Sequence, residues 1–360
     1  MRGQQEQEPS FISLINVEQL IGRDHPIRRI KQTVDEVLGR MGEIFDAMYA
    51  RQGRPSIPPE QLLKAKVLQA LFSVRSDRQL CARLQTDLMF RWFIDLGLDE
   101  KVFDASSFSQ NQKRLLAHEV ADRFFTEVVN LAREQGWVSD EHFSVDGTLI
   151  EGWASLKSFR PKSDIEAGGG GTGMGNPWMD FHGEKRSNET HASTTDPDLK
   201  LARKGPGKES KLCAGAHAAM ENRHGLCVSF DICQVEAEAS EPRVSVRQIQ
   251  KLRQRGFTPK SVGADKGYHT HHFVDSLRAM GVEAHPALVS KRDPMGIVVN
   301  AVHAVSQRIR KRIEEIFGWM KTTGCFRKSR YRGIERTHAA GQYVVATLNL
   351  LRMAKLAGAR

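Results

Sequence analysis

The 360-residue chain is poor in cysteine: Cys81, Cys213, Cys227, Cys233 and Cys325 are its five, an odd number with no C-x-x-C pair. This excludes a disulfide framework and a zinc knuckle, and fits a reducing compartment. No apolar run approaches the roughly 20 residues of a membrane span. The start, MRGQQEQEPS, lacks the apolar h-region of a signal peptide. A soluble, cytoplasmic protein with no membrane partner is the expectation. The run Gly168–Gly171 is not followed by the Lys-Ser/Thr of a nucleotide-binding loop, so it reads as a linker. His269, His271 and His272 lack partners at zinc spacing and read as helix-start or solvent residues.

Acidic residues are scarce in one region only. From His303 to Arg360 there are thirteen Lys/Arg against three acids, so the whole excess of +10 lies there and residues 1–302 are balanced. A basic segment on a neutral body points to a polyanionic partner, most simply nucleic acid. A composition that is 40% hydrophobic can bury a proper core, and the length suits two domains or one large core with additions.

Residues 1–136 read as an all-helical domain. Pro58-Pro59-Glu60 opens a helix with Leu63, Val67, Ala70, Leu71 and Val74 at helical spacing. Ser76-Asp77-Arg78-Gln79 and Ser107-Phe108-Ser109-Gln110 both have capping-box form. Another helix carries Phe124, Val128 and Leu131 on one face. Short helices with short turns permit a DNA reader, although plain bundles share the pattern. After Gly136 the period changes to that of strands. His142–Ile150 alternates, a polar insertion at about 155–209 that cannot bury much reads as a mobile loop, and Lys211–Met220 and Leu226–Gln234 form a hairpin around Glu221–Gly225. A helix ending at Gly256, a strand over Pro259–Asp265, a helix closed by Gly281 and a strand over Val282–Leu288 make a mixed α/β sheet over 137–325. Residues 326–360 read as a basic strip and a final helix.

Asp146 and Asp265 sit at strand ends, each beside a glycine that allows close approach. On a helix further on, Arg310, Glu314, Phe317 and Lys321 fall within a narrow arc at about 100° per residue. Three carboxylates from two strands and a helix can hold two divalent cations about 3.5–4 Å apart, and the flanking Arg and Lys suit phosphate. Each piece alone has a plainer reading: a turn cap for either Asp, an i,i+4 ion pair for the helix. Glu315 projects away from Glu314 and reads as a salt-bridge partner. Arg327, Lys328, Arg330 and Arg332 form a phosphate-contacting strip, with Phe326 and Tyr331 interleaved as for partly unpaired strands. His182 and His191 fall in the polar insertion, where they could approach DNA.

Val-Asp-Gly-Thr at 145–148, Ala-Asp-Lys-Gly-Tyr at 264–268 and Arg-x3-Glu-x6-Lys at 310–321 together resemble a bacterial insertion-sequence transposase of the DDE type. So do the phrases at 181–188 and 326–333 and the helical region around 43–116. The resemblance implies a ribonuclease-H-like mixed sheet flanked by helices, with Asp146, Asp265 and Glu314 as catalytic metal ligands for Mg²⁺ (or Mn²⁺). It implies Arg310 and Lys321 as contacts to DNA, metal-dependent cleavage at inverted-repeat ends, strand transfer into double-stranded target DNA, and a homodimer bringing two ends together. The chain departs from the family pattern in three places: Gln307 stands where a tyrosine is usual, Val302-His303 where a Gly-Tyr pair is, and the stretch Asp293–Ala301 matches poorly. The alternatives from other classes are a transposase-derived DNA-binding protein that no longer cuts and a structural metal-binding protein. The second leaves the localised basic charge unexplained.

Overall fold

The computed structural model describes residues 16–49, 56–166, 186–205, 207–235, 240–289 and 295–358. Gly168–Gly171 and His182 lie outside them. The amino-terminal part is helical: α1 (Val17–Leu20), α2 (Pro26–Gly39), α3 (Gly42–Met48), α4 (Pro59–Leu71), α5 (Asp77–Thr86), α6 (Leu88–Phe93), α7 (Ala105–Ala117) and α8 (Val120–Glu134). The second part contains β1 (His142–Glu151), β2 (Phe159–Pro161), α9 (Lys162–Glu166), β3 (His191–Ser193), β4 (Lys200–Ala202), β5 (Lys211–Glu221), β6 (Cys227–Gln234), α10 (Glu241–Gln254), β7 (Ser261–Ala264), α11 (His271–Ala279), β8 (Glu283–Pro286), α12 (Ala301–Arg310), α13 (Ile313–Lys321) and α14 (Ile334–Gly358).

Local chemistry explains most boundaries. Pro59 opens α4, and Ser76 caps α5 by accepting from Gln79 N at 3.1 Å. The second expected capping box is corrected: Asp104 caps α7 by accepting from Ser106 N and Ser107 N, so Ser107 lies inside the first turn. An Asp three residues ahead of Ser107 offers the stronger cap. Gly256 and Gly281 end α10 and α11 with φ of +81° and +73°, where a side chain would be strained. Periodicity marked only one face of α4 as apolar, yet nearly all of it is buried, Lys64 and Lys66 included. Ion pairs make that possible: Lys64 meets Asp35 and Asp95, and Lys66 meets Asp77.

The main sheet places β1 at its centre. β1 pairs antiparallel with β5 and parallel with β7, which pairs parallel with β8. Beyond β5, β6 pairs along most of its length and β4 along its start. The insertion is tighter than its polarity suggests. β2 pairs with β3, and His191 is buried and stacked on Phe159 instead of facing solvent. Asp196 and Asp198 accept from Gly333 N and Ile334 N, capping α14.

One apolar core runs through both parts. α14 is the shared element, packed against α2, α4 and α8 on one side and β6 on the other. Gly341 lets it approach β6, where a Cβ would stand 2.7 Å from the Phe230 ring. Asn349 satisfies both backbone groups of Cys227, and Gln342 donates to Asp122 of α8.

The β5–β6 turn depends on a single buried carboxylate. Glu221 accepts from the backbone N–H groups of Ser139, Arg223, His224 and Leu226 at 2.7–3.3 Å. Glu221→Ala would leave several buried donors unpaired, each worth about 1–3 kcal/mol. It should lower unfolding stability by about 3 kcal/mol or more, read as a shift of the urea midpoint, whereas Glu221→Gln should cost less. A midpoint unchanged in Glu221→Ala would refute this assignment.

Candidate active site

β1 and β7 run in parallel register, with His142 beside Ser261 and Ser144 beside Gly263. Continued two residues, that register brings Asp146 alongside Asp265, just past the end of β7 at Ala264. Beyond Ser144 and Gly263 the two strands no longer pair, so both carboxylates lie where the sheet opens. Only Asp265 is at a strand end as expected; Asp146 lies in the middle of β1, which runs on to Glu151 because β5 continues to pair with it. Asp146 accepts from Gly147 N at 2.8 Å within the strand, and Asp265 from Gly267 N at 2.7 Å in the turn that follows β7.

The segment expected as one continuous helix is broken. α12 ends at Arg310 and α13 begins at Ile313, with Lys311 and Arg312 forming a turn. Phe317, placed on the same arc by spacing, faces the core, while Glu314 is exposed. Glu315 pairs with Arg352 at 2.8 Å, the ion-pair role expected of it. α13 packs on β1 and β5, and Lys321 donates to Thr148 Oγ1 on β1. Thr148 is two residues from Asp146, so both project from one face of the strand. Gln307, at the tyrosine position, donates to the carbonyls of Ala264 and His285 and so fastens α12 to the ends of β7 and β8. His303 is buried, with Nε2 3.1 Å from the Pro286 carbonyl oxygen. These two departures therefore serve to seat the helix beside Asp265.

Asp146 lies in the field of several charged groups. Burial pushes the Asp146 carboxyl up to about 6; the charges of Asp265 and Glu314 add to this, while the Gly147 N–H and Arg310 oppose it. Arg310 is half-buried, and its Nε has no hydrogen-bond partner. Lys321 is lowered to about 8 by burial, then by the positive charges of Lys204 and Arg327. A fourth acid escaped the sequence reading. Glu241, in the first turn of α10, lies against Gly147, where a Cβ would stand 2.7 Å from Glu241 Oε1. Although solvent reaches it, the protein packed on its other side and the charges of Asp146 and Asp265 push its carboxyl up to about 7. An acid opening a helix is too common a pattern to have marked it.

Among the described residues, no three acidic, histidine or cysteine side chains already form a coordination shell. The expectation that the three acids sit within bonding reach of shared cations is not met in this structure. The donor chemistry nevertheless fits a hard divalent cation: carboxylate oxygens gathered in a partly desolvated place, two of them at raised pKa. His271 and His272 are exposed on the first turn of α11.

The basic strip is anchored to β1. Glu151 N donates to the Arg327 carbonyl and Ser329 N to the Glu151 carbonyl, which lays 327–329 beside the strand end, roughly 17 Å from Asp146. Arg327, Lys328, Arg330 and Arg332 are exposed, and Lys328 pairs with Glu151 at 3.2 Å. Phe326 is buried in the core and is unavailable for base stacking. Tyr331 is half-buried, its hydroxyl 3.4 Å from Lys66 Nζ.

The raised carboxyls predict a pH dependence. Asp146 and Glu241 have ordinary values of 3.8 and 4.5, and in the folded state hold protons that the unfolded chain has already released. The stability this contributes is complete below about 4 and lost as pH rises through about 6 to 7. The urea midpoint of the metal-free protein should therefore fall more between pH 5 and 8 in the wild type than in Asp146→Asn/Glu241→Gln. Equal falls in the two proteins would refute it.

Two family models match the chain. Residues 15–114 match the family described as "Transposase domain (DUF772)", and residues 181–350 match the "Transposase DDE domain". The second match contains Asp265 and Glu314 but begins after Asp146. No curated protein matches the chain in sequence. Solved structures similar to it include the piggyBac transposase synaptic complex with hairpin DNA, with 9% identity, a TM-score of 0.40, and coverage of 96% of this chain and 76% of that one. The Mos1 mariner paired-end complex with Mn gives 10% identity, a TM-score of 0.21, and coverage of 86% and 81%. Superpositions this loose add no weight. The two family matches, together spanning the helical part and most of the sheet, place the chain among the insertion-sequence DDE transposases, enzymes of DNA transposition.

Proposed function

We propose that this enzyme cuts at the inverted-repeat ends of its own element and joins the freed 3′-hydroxyl to target DNA, with Asp146, Asp265 and Glu314 holding Mg²⁺ (or Mn²⁺). The observation that carries this reading is the meeting of Asp146 and Asp265 in parallel register where the sheet opens, with Glu314 close enough to perturb Asp146. Divalent cations bound there would supply the charge that activates a water or 3′-hydroxyl and steadies the leaving oxygen. The chain's own part is to fix direction and to exclude competing water. Arg310, half-buried beside Asp146, is poised to take a phosphate oxygen of the scissile strand. Lys321, tethered by Thr148, offers a second donor on the same face of β1.

Arg327, Lys328, Arg330 and Arg332 would then follow the duplex backbone away from the site. Because the two ends of an element must be processed together, the working form is a homodimer on DNA, acting in the cytoplasm on nucleoid DNA. None of the described helices is long and apolar enough to cross a membrane.

Asp146→Asn, Asp265→Asn and Glu314→Gln should each slow cleavage of an end-bearing duplex by at least about 10²–10³-fold, while gel-shift binding to that duplex persists. A variant that cuts at the wild-type rate removes its residue from the site. Arg327→Ala and Arg332→Ala should each reduce the slope of log affinity against log salt by about 0.9. Lys328→Ala should reduce it less, because Lys328 is already paired with Glu151. Slopes identical to wild type would show that the strip does not touch phosphate.

A further inference from the structure

Glu241 belongs to none of the sequence motifs, yet it reaches the same opening in the sheet from the other side. Alternate residues of β1 face opposite sides. Thr148 meets Lys321 of α13, whereas Gly147 faces Glu241 of α10. Asp146 and Thr148 thus look toward the helix carrying Glu314, and Gly147 toward the helix carrying Glu241. At Gly147 a Cβ would stand 2.7, 2.8 and 2.9 Å from Oε1, Cδ and Cγ of Glu241. The glycine is therefore the vacancy that admits this carboxylate to the strand, next to Asp146.

A second feature points into the same place. Tyr268, on the turn that follows Asp265, is fully buried and packed edge-on against Phe273, with ring centroids 5.2 Å apart. Its hydroxyl faces that of Ser245, one turn along α10 from Glu241, and stands in the field of Glu241, Asp146 and Asp265. Ser245 is also fully buried, and beyond this mutual approach neither hydroxyl has a well-formed hydrogen bond. An unmade hydrogen bond on a buried hydroxyl costs about 1–3 kcal/mol. Two such groups beside a cluster of carboxylates are explained if an acceptor is fixed there when the site is filled.

We propose that Glu241 is a fourth carboxylate of the divalent-cation site, approaching the cation from the sheet face opposite Glu314, and that the Tyr268 hydroxyl positions it. Gly147 leaves the space through which it enters. This rests on the reading of Asp146 and Asp265 as ligands, and the test separates the two.

Mn²⁺ binding to the full-length protein, without DNA, is measured by titration calorimetry and by electron paramagnetic resonance of free Mn²⁺. Fe²⁺-directed hydroxyl-radical scission maps where the metal sits. Wild type should be cut near residues 146, 241 and 265. Glu241→Gln should bind Mn²⁺ at least tenfold more weakly and lose scission near 241, while remaining folded by circular dichroism. Gly147→Ala, which removes no carboxylate but fills the space, should weaken binding in the same direction. Tyr268→Phe should weaken it by a smaller factor, two- to tenfold. Wild-type Mn²⁺ affinity in Glu241→Gln, together with loss of binding in Asp146→Asn, overturns the role of Glu241 and leaves the proposed function standing. Wild-type affinity in both Asp146→Asn and Asp265→Asn overturns the proposed function itself.

Discussion

Negative charge gathered where water is partly excluded is the constraint on which the rest of this structure depends. The charges of Asp265 and Glu314 bear on Asp146, those of Asp146 and Asp265 bear on Glu241, and Arg310 is the cation that opposes them at Asp146. Like charges in such a place destabilise the fold unless protons or external cations neutralise them. The framework must therefore hold the carboxylates against their own repulsion.

The framework does this by fixing β1 on both edges. Hydrogen bonds to β5 and β7 leave Asp146 little freedom along the strand, and helices close over both faces. The far end of β5 is fixed as well. Glu221 gathers four backbone donors, and Arg352 of α14 bonds the Gly225 carbonyl and Glu315 of α13. Arg312, in the turn between α12 and α13, reaches the carbonyls of Arg223 and His224 at 3.4 Å. The hairpin turn thus steadies the start of the helix that carries Glu314, and stability and site geometry share the same side chains.

Much of this was legible in the sequence because period and punctuation agree there. The strand over His142–Ile150, the Glu221–Gly225 hairpin and the helices closed by Gly256 and Gly281 follow from alternation and left-handed glycines. Asp146, Asp265 and Glu314 stood out through their motifs. What was hidden depends on tertiary partners. Spacing continued the helix through Lys311 and Arg312, although Ile313, Ile316 and Phe317 must turn into the core and the chain breaks to let them. Lys64 and Lys66 look like surface residues until Asp35, Asp95 and Asp77 are brought to them from other helices. The insertion seemed too polar to pack, yet Asp196 and Asp198 find the free N–H groups of α14. Glu241 had no signature because what singles it out is a glycine 94 positions earlier in the chain.

The placement of α14 also bears on how the molecule is made. Every helix and strand it packs between leaves the ribosome before it does, so a nascent chain must carry two open apolar surfaces until residues 334–358 emerge. Synthesis and assembly are thereby coupled. A polypeptide interrupted short of that helix lacks the wedge joining its halves.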